Sequence, residues 1–343
     1  MLVMSWSTSQ TKVYFGVVSR MTIAKSLRGA VVIVPGETDS EIEKFNSATE
    51  GGNIEQVPGD FVPLLRRYRV VFGAWPRLFP PISFNEHILH RIIYDRDPRL
   101  KVICDKVAVR KFVRDKVGSK YVLPLIGVYE HLDEIEWQKL PVRFVLKPSH
   151  ASGSVRFIDQ SRGLNRDELS RLTGQWLAHE YLGGLEWGYR GIPRRLLVEP
   201  FLQSADGRQA LEIEIHTFYG KAALVQLILG AKFTPNRRHT WFDVTGRRVA
   251  LNMGPKYRSA DITLRRDIFH SAVKLVELAS ADFSFLRVDL FLTSDGLKIA
   301  ELTPYTNTGF TNWIPRTHDE LLGMLWKPDF DLSIIPDFTR QTV

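Results

Sequence analysis

Apolar side chains recur at helical spacing in several stretches of the chain. Ser83 and Glu86 form a capping-box pattern, and the helix that it opens places Ile88, Leu89 and Ile92 on one face. Comparable patterns predict further helices at Asp60–Trp75, Asp105–Val117, Arg166–Tyr181 and 261–280, with a shorter polar helix at Asp133–Lys139.

Shorter apolar runs bounded by turn residues predict strands between these helices. They lie at Tyr121–Leu125, Arg143–Lys147, Arg156–Ile158, Leu196–Glu199, Leu211–Phe218 and Ala222–Leu229, and in a hairpin at Leu286–Leu302. Helices are interleaved with antiparallel hairpins instead of alternating strictly with single strands. The order therefore predicts an α+β fold.

Composition narrows the class of protein. The 343 residues include 44% hydrophobic and 24% charged residues, which is typical of a globular protein. Cys104 is the single cysteine, so an intrachain disulfide is excluded and a cytoplasmic setting is expected. No apolar run reaches the roughly 18–20 residues of a membrane span, and no signal peptide is predicted. The net charge of +8 indicates an anionic partner, which the charge alone does not identify.

The first candidate site is a strand that ends in a lysine and is followed by small residues. Lys147 closes the apolar run, and Ser152-Gly153-Ser154 forms a loop before the next strand. Backbone N–H groups of such a loop can approach phosphate oxygens, and the lysine adds positive charge. An ordinary hairpin loop with a solvated lysine is the alternative. P-loop, dinucleotide, zinc and nucleophile-elbow motifs are absent from the sequence.

The second candidate is the hairpin that contains Asp289 and Glu301. A three-residue loop at Ser294-Asp295-Gly296 pairs Thr293 with Leu297, and hence places the two carboxylates opposite one another on one face. Two such carboxylates repel unless a cation lies between them, and hard oxygen ligands suit Mg²⁺. A two-residue loop would place them on opposite faces, and an exposed Arg–Glu pair is the other alternative.

Taken in order, these segments resemble an ATP-grasp ligase of the teichuronopeptide-biosynthesis TupA-like family. The similarity runs from about Ser83 to about Phe310. Its carriers are Phe84-Asn85-Glu86, Tyr94-Asp95-Arg96, Asp105–Arg110, Pro124–Tyr129, Phe144–Gly153, Glu186-Trp187, Phe218–Lys221, Arg287–Leu290 and Glu301–Thr303.

The resemblance implies an ATP-grasp fold of two lobes that clamp ATP between antiparallel sheets. Residues 1–100 would form an N-terminal region, a reduced form of the lobe that precedes the core in relatives. Residues 101–197 would form the smaller lobe with the phosphate-covering loop, and 198–343 the larger lobe with the metal site.

The resemblance also implies roles for individual residues. The residues implied for the nucleotide are Lys106 and Lys147 at the phosphates, Ser152, Gly153 and Ser154 over them, Glu199, Phe201 and Leu202 along the adenine, and Glu212 at the ribose. Those implied for chemistry are Asp289, Glu301 and Thr303 for Mg²⁺, Arg287 at the transferring phosphoryl group, and Lys232 in a basic stretch that contacts phosphate or acyl phosphate in relatives.

Three places depart from the pattern of ATP-grasp enzymes or of their TupA-like branch. Many ATP-grasp enzymes carry Asn where this chain, like the TupA-like branch, has Thr303, and the branch usually has Gly where this chain has Ala151. A Pro-Gly-Ser-Gly-like stretch is replaced here by Thr306-Asn307-Thr308-Gly309. The first departure concerns the third metal ligand, and the other two concern the substrate.

The implied activity is carboxylate–amine ligation through an acyl phosphate, joining an amino acid or peptide to a uronic acid of a surface polysaccharide. A kinase on the same scaffold is the alternative. A third hypothesis is a non-catalytic polyanion binder that uses the arginine clusters Arg66–Arg69, Arg194–Arg195, Arg237–Arg238 and Arg247–Arg248. Because no nucleic-acid-binding motif accompanies these clusters, a nucleic-acid partner is not expected. The sequence leaves the oligomeric state open.

Overall fold

The computed structural model describes residues 57–230, 234, 236–254 and 258–339. These residues divide between two compact units, one ending at Phe79 and one starting at Pro80. Helices are α1 (Val62–Phe72), α2 (Phe84–Tyr94), α3 (Pro98–Cys104), α4 (Ala108–Val117), α5 (Arg166–Ala178), α6 (Arg266–Ser280) and α7 (Thr317–Met324). Within the described ranges, none is long and apolar enough to cross a bilayer.

Strands make up two separate sheets in the second unit. Their bounds are β1 (Gly127–Tyr129), β2 (Arg143–Pro148), β3 (Arg156–Asp159), β4 (Leu196–Pro200), β5 (Leu211–Phe218), β6 (Lys221–Leu229), β7 (Arg238–Asp243), β8 (Arg248–Val249), β9 (Arg258–Ser259), β10 (Phe285–Thr293) and β11 (Gly296–Thr303). The predicted α+β class with antiparallel sheets is confirmed. The domain boundaries at residues 100 and 197 stay a prediction.

The smaller sheet has four strands in the order β1-β4-β2-β3, all antiparallel. One face of this sheet packs against α5 and the segment before β2. Its core consists of Ile135, Trp137, Phe144, Leu146, Ile158, Leu169, Leu196 and Val198. Burial of these side chains is the main force that holds the small sheet together.

The larger sheet has seven strands, with β11-β10-β5-β6-β7-β8 as its main order and β9 parallel to β7. Helix α6 packs across β5, β6 and β10. Its buried residues include Ala272, Leu275, Val276 and Ala279, the helical spacing that the sequence predicts. The opposite face of the sheet carries the charged side chains described below.

Two predicted elements are wrong in type. No strand forms at Tyr121–Leu125: a 3₁₀ turn covers Ser119–Tyr121, and β1 starts only at Gly127, after Pro124, which lacks an N–H for a ladder. The predicted helix Asp133–Lys139 is two 3₁₀ turns instead. Both Ile135 and Trp137 point into the core, and that two-residue spacing does not fit an α-helix.

Helix α2 connects the large sheet to the loop that follows β11. Its N-terminus has the predicted capping box of Ser83 and Glu86. Asn85 is buried and bonds Thr311 through both amide atoms, accepting from its N–H at 2.9 Å and donating to its carbonyl at 2.8 Å. The backbone and side chain of Asn85 also donate to the two carboxylate oxygens of Asp319, each at 3.0 Å. The loop after the predicted metal-binding glutamate is therefore held on the start of α2.

Candidate active site between the two sheets

Lys106 joins the small sheet's loop to the large sheet's hairpin. It precedes α4, and its ammonium group donates to the Ala151 carbonyl at 2.7 Å. The same Nζ lies 3.2 Å from Oε1 of Glu301 on β11. Because Lys106 is only 7% exposed, this contact places a desolvated cation beside the predicted metal-binding carboxylate.

Lys147 projects from β2 toward the neighbouring strand β4. Its Nζ lies 2.7 Å from Oε2 of Glu199, and the other carboxylate oxygen of Glu199 accepts a hydrogen bond from Arg110. Burial lowers the pKa of Lys147, and the adjacent Glu199 acts in the opposite direction. Glu199 thus holds two cations at the same edge of the site.

Arg110 was missed by the sequence analysis, although it ends one of the segments that carry the family resemblance. It lies one helical turn after Lys106, and its guanidinium donates to the Lys106 carbonyl as well as to Glu199. That four-residue spacing is the signal that could have found it.

The predicted phosphate-covering loop has an anchored stem and an accessible tip. Ser149 is fully buried; its hydroxyl donates to the Pro193 carbonyl at 2.6 Å and accepts from the Arg195 N–H at 3.0 Å. His150 contacts the Trp176 carbonyl through Nε2 at 2.9 Å. At the tip, Gly153 is exposed with φ +75°, and a Cβ there would meet no atom within 4 Å. Ser152 and Ser154 flank it and are partly exposed.

The hairpin β10–β11 brings Asp289 opposite Glu301 and Arg287 opposite Thr303, as predicted. The route differs from the prediction. Gly296 has the expected left-handed φ of +92°, but Thr293 pairs with Gly296 and not with Leu297.

A β-bulge lies between the turn and the two carboxylates, and it compensates for the one-residue shift in the pairing of Thr293. Leu290 pairs with Ile299 and Asp289 with Glu301, so Ala300 is the extra residue on β11. Without the bulge, Asp289 would face Ala300. Glu301 would then point to the other face of the sheet.

Arg287 is held by the carboxylates around it. Its guanidinium makes two hydrogen bonds of 2.6 Å to Asp289 and lies 3.5 Å from Oε2 of Glu214. Thr303 contributes its hydroxyl, 3.5 Å from Nη2 of Arg287. Although burial opposes it, the carboxylates of Asp289 and Glu214 raise the pKa of Arg287, which is therefore a permanent cation.

Strand β5 adds two glutamates to this face. Glu214 is the cross-strand partner of Asp289, and Glu212 is that of Phe291. One oxygen from each of Glu212, Glu214 and Asp289 lies within 4.8 Å of the others. Arg237 pairs with Glu212 at 2.7 Å. Glu214 was missed by the sequence analysis, although the alternation along Leu211–Ile215 places both glutamates on one side.

This donor set fits a divalent cation. Asp289 is only 6% exposed, and burial raises its pKa, while Arg287 acts in the opposite direction and Glu214 adds to the increase. Carboxylate oxygens are the hard ligands that Mg²⁺ prefers. Glu212, Glu214 and Asp289 have oxygens close enough together to share one ion. The assignment of Asp289, Glu301 and Thr303 as metal ligands stays a prediction.

For three of the predicted site residues, the described ranges show no contact that bears on the predicted role. Lys232 lies outside the described residues. Phe201 follows β4, and its ring lies 6.1 Å from that of Phe157 and 5.2 Å from the guanidinium of Arg143. The carbonyl of Leu202 accepts from the Ala210 N–H at 3.2 Å. Their assignment to an adenine site stays a prediction.

The fold combines a small sheet and a large sheet. A lysine spans from the glycine-containing loop of the first to the carboxylate hairpin of the second. This arrangement corresponds to the ATP-grasp class of proteins. The model of the family described as TupA-like ATPgrasp matches residues 86–327. The chain therefore belongs to the TupA-like ATP-grasp family, as the resemblance predicts.

Solved structures of ATP-grasp ligases are similar to parts of the chain. The ATP-grasp ligase PsnB complexed with minimal precursor is 11% identical, with a TM-score of 0.36 over 60% of this chain and 54% of that chain. D-alanine–D-alanine ligase from Bacillus anthracis complexed with ATP is 14% identical, with a TM-score of 0.34 over 59% of this chain and 54% of that chain. The chain thus spans about half the length of these two structures. No curated protein matches it.

Proposed function

We propose that the chain is an ATP- and Mg²⁺-dependent ligase that joins a carboxylate to an amine through an acyl phosphate. The observation that carries the proposal is the position of the Lys106 ammonium group, between the Ala151 carbonyl and Glu301. A phosphate chain lying there would be flanked by a flexible loop tip, a buried lysine and a carboxylate hairpin.

The nucleotide would lie between the sheets. Lys106 and Lys147 would contact its phosphates, and Ser152–Ser154 would cover them. Glu199, Phe201 and Leu202 would line the adenine, and Glu212 would reach the ribose. The contacts of Glu199 with Lys147 and Arg110 support a further role, in which this carboxylate orients both cations toward the phosphates.

The metal would be held by Asp289 and Glu301, with Glu214 as a third carboxylate in addition to the predicted Thr303. When bound, Mg²⁺ supplies positive charge to the phosphoryl group that is being transferred. Arg287 would face the same group, because its guanidinium already lies among these carboxylates. Lys232 would add a further cation.

In chemical terms, a carboxylate oxygen attacks the terminal phosphorus and ADP leaves with the electron pair of the broken P–O bond. The amine nitrogen then attacks the acyl carbon, phosphate leaves, and the amine loses a proton. The protein contributes chiefly by positioning the reactants and by placing Lys and Arg beside the developing negative charge. Closure of the loop over the reactants would protect the acyl phosphate from water.

For substrates, we propose a uronic acid of a surface polysaccharide and an amino acid or peptide, with the reaction in the cytoplasm. Family membership supports this substrate class, and the net charge of +8 favours an acidic partner.

The test is ADP release from ATP and Mg²⁺ with glucuronate or galacturonate and each of the twenty amino acids, with mass spectrometry of the product. An amide formed alongside ADP supports the ligase, whereas a stable phosphorylated product supports the kinase. Asp289→Asn and Glu301→Gln are expected to lower turnover by about 100-fold or more. Asp295→Asn, at the turn of the same hairpin, is the matched control. Normal turnover in either metal-site variant would refute the metal assignment.

A further inference from the structure

A buried carboxylate lies beside the candidate active site without a complete set of partners. Glu186 precedes the 3₁₀ turn Trp187–Tyr189 and is 2% exposed. Its side chain accepts a hydrogen bond from Thr308, while its Oε1 has no hydrogen-bond partner in the part of the chain that the structure describes. Leaving such an oxygen unpaired costs roughly 1–3 kcal/mol. A buried acceptor of this kind indicates a donor that comes from outside the chain.

Three tyrosines and Cys104 lie close enough to Glu186 to be affected by its charge. The rings of Tyr181 and Tyr189 are 4.8 Å apart, and Tyr305 lies 6.5 Å from Tyr189. The hydroxyl of Tyr305 accepts the N–H of Gly188 at 3.0 Å, which fixes this ring beside the Trp187–Tyr189 turn. Tyrosine faces together with a carboxylate are the usual surroundings of an ammonium group in a protein.

Backbone strain is concentrated around the same carboxylate. Only four non-glycine residues in the described ranges have a left-handed φ, and three of them are Leu182 at 48°, Asn307 at 49° and Thr308 at 56°. The first lies in the turn just before Glu186, and the last donates to it. A β-branched residue such as Thr308 rarely adopts this conformation. Strain of this kind persists where the surrounding structure uses it, and it clusters at ligand sites.

The carboxylate is also next to the proposed site of phosphoryl transfer. Tyr181 hydrogen-bonds Ser152 of the phosphate-covering loop. The ammonium group of Lys106 lies 6.0 Å from the ring centre of Tyr189. The charge of Glu301 acts on Glu186. An amine held by Glu186 would therefore stand near an acyl phosphate formed between Lys106 and the metal-site carboxylates.

We propose that Glu186, with Tyr181, Tyr189 and Tyr305 around it, binds the ammonium group of the amine substrate. This inference rests on the proposed ligase function and adds the class of group recognised: a primary amine that arrives positively charged. The residue is a specificity determinant, because its charge selects an ammonium group over a neutral hydroxyl.

A purely structural role makes a different prediction. Burial raises the pKa of Glu186 to about 8, and an ammonium group bound beside it would favour the ionised form. In a purely structural role no cation arrives and the neutral acid persists. Glutamine has nearly the same shape as that neutral acid and could still accept from Thr308. Glu186→Gln would then leave both folding and substrate affinity unchanged.

The first measurement is direct binding, by isothermal titration of the full-length protein with ethylammonium chloride. Ethanol serves as the neutral isostere. Glu180→Gln is the matched control, since the Glu180 carboxylate accepts the Gly191 N–H at 3.0 Å. We expect the wild type and Glu180→Gln to bind ethylammonium, and Glu186→Gln to bind it at least tenfold more weakly, with no binding of the alcohol. Absence of ethylammonium binding to the wild type, or equal binding by Glu186→Gln, would overturn the inference.

The second measurement separates the inference from the proposed function. With ATP, Mg²⁺ and glucuronate, hydroxylamine traps an acyl phosphate as a hydroxamate, and this trap is uncharged at neutral pH. Glu186→Gln is expected to keep hydroxamate formation within twofold, while kcat/KM for amino acids falls about 100-fold through KM, the loss expected for a hydrogen bond to a charged group. Equal KM values in both proteins would contradict amine recognition. A wild type that binds ethylammonium and forms no hydroxamate would refute the ligase function alone.

Discussion

Replacing Glu199 by Gln is predicted to destabilise the small sheet strongly. Glu199 is 5% exposed and faces two cations, with Lys147 Nζ at 2.7 Å and Arg110 on its other oxygen. At an effective dielectric constant of about 20, opposite unit charges 2.7 Å apart attract by about 6 kcal/mol, before desolvation is counted. Removing one partner of a buried pair typically costs about 3–5 kcal/mol, because a charge stays buried without compensation.

The measurement is the midpoint of thermal unfolding by circular dichroism. For a protein of this size, about 3–5 kcal/mol corresponds to a decrease of about 4–7 °C. The matched control is Glu168→Gln, which removes the carboxylate from an exposed pair with Arg156. That pair contributes at most about 1 kcal/mol, so its midpoint should fall by no more than about 2 °C. Equal, small shifts in the two variants would refute the view that Glu199 compensates buried cations.

Two further predictions concern the segments that hold the site. Burial raises the pKa of Asp319 to about 6, above the roughly 3.9 of an unfolded chain, so the folded protein binds more protons between these values. The free energy of unfolding should therefore fall as the pH rises from about 4 to about 6, and Asp319→Asn should lack this fall. Parallel curves of stability against pH for the two proteins would show that Asp319 is not its cause. Gly220→Ala should lower the unfolding midpoint more than Gly246→Ala. Both glycines have a left-handed φ, but an added Cβ would lie 2.8 Å from the Ala281 backbone at Gly220 and would meet no atom within 4 Å at Gly246. Equal shifts would show that the turn relaxes without cost.

Several parts of the fold follow from local patterns alone. The capping box at Ser83, the strands β5, β6, β10 and β11 and the helix before β10 are encoded by neighbouring residues whose spacing matches a single period. The shorter strands β7, β8 and β9 were not predicted. The segment Phe84-Asn85-Glu86 carries the family resemblance for structural reasons: Phe84 lies in the aromatic core, Asn85 clamps Thr311 and Asp319, and Glu86 caps α2.

Other parts depend on contacts that no local pattern contains. The segment before β2 was predicted as one helix, yet Ile135 and Trp137 are drawn into the core of the small sheet, and this burial outweighs helix propensity. The pairing of Asp289 with Glu301 was predicted through a three-residue loop, whereas the structure reaches it through the bulge at Ala300.

The charged side chains of the site show the same division. The order of the family-like segments along the sequence was enough to select four site residues, Lys106, Lys147, Asp289 and Glu301. Local spacing could also have pointed to Arg110 and Glu214, but their contacts with Glu199 and Asp289 form only because α4 and β5 lie against β4 and β10. Their partners are distant in the sequence, so a single chain without its fold offers no signal for the pairing.

The bulge at Ala300 separates the hairpin into two parts that can vary independently. Between the bulge and the turn, the pairing of Leu290 with Ile299 and of Leu292 with Leu297 follows from the pairing of Thr293 with Gly296. Beyond the bulge, the pairing of Asp289 with Glu301 is shifted by one residue. Lengthening or shortening the turn therefore need not rotate the carboxylates. The tip at Ser294-Asp295 is accordingly the place where an inserted label or peptide would report on the hairpin while sparing its chemistry.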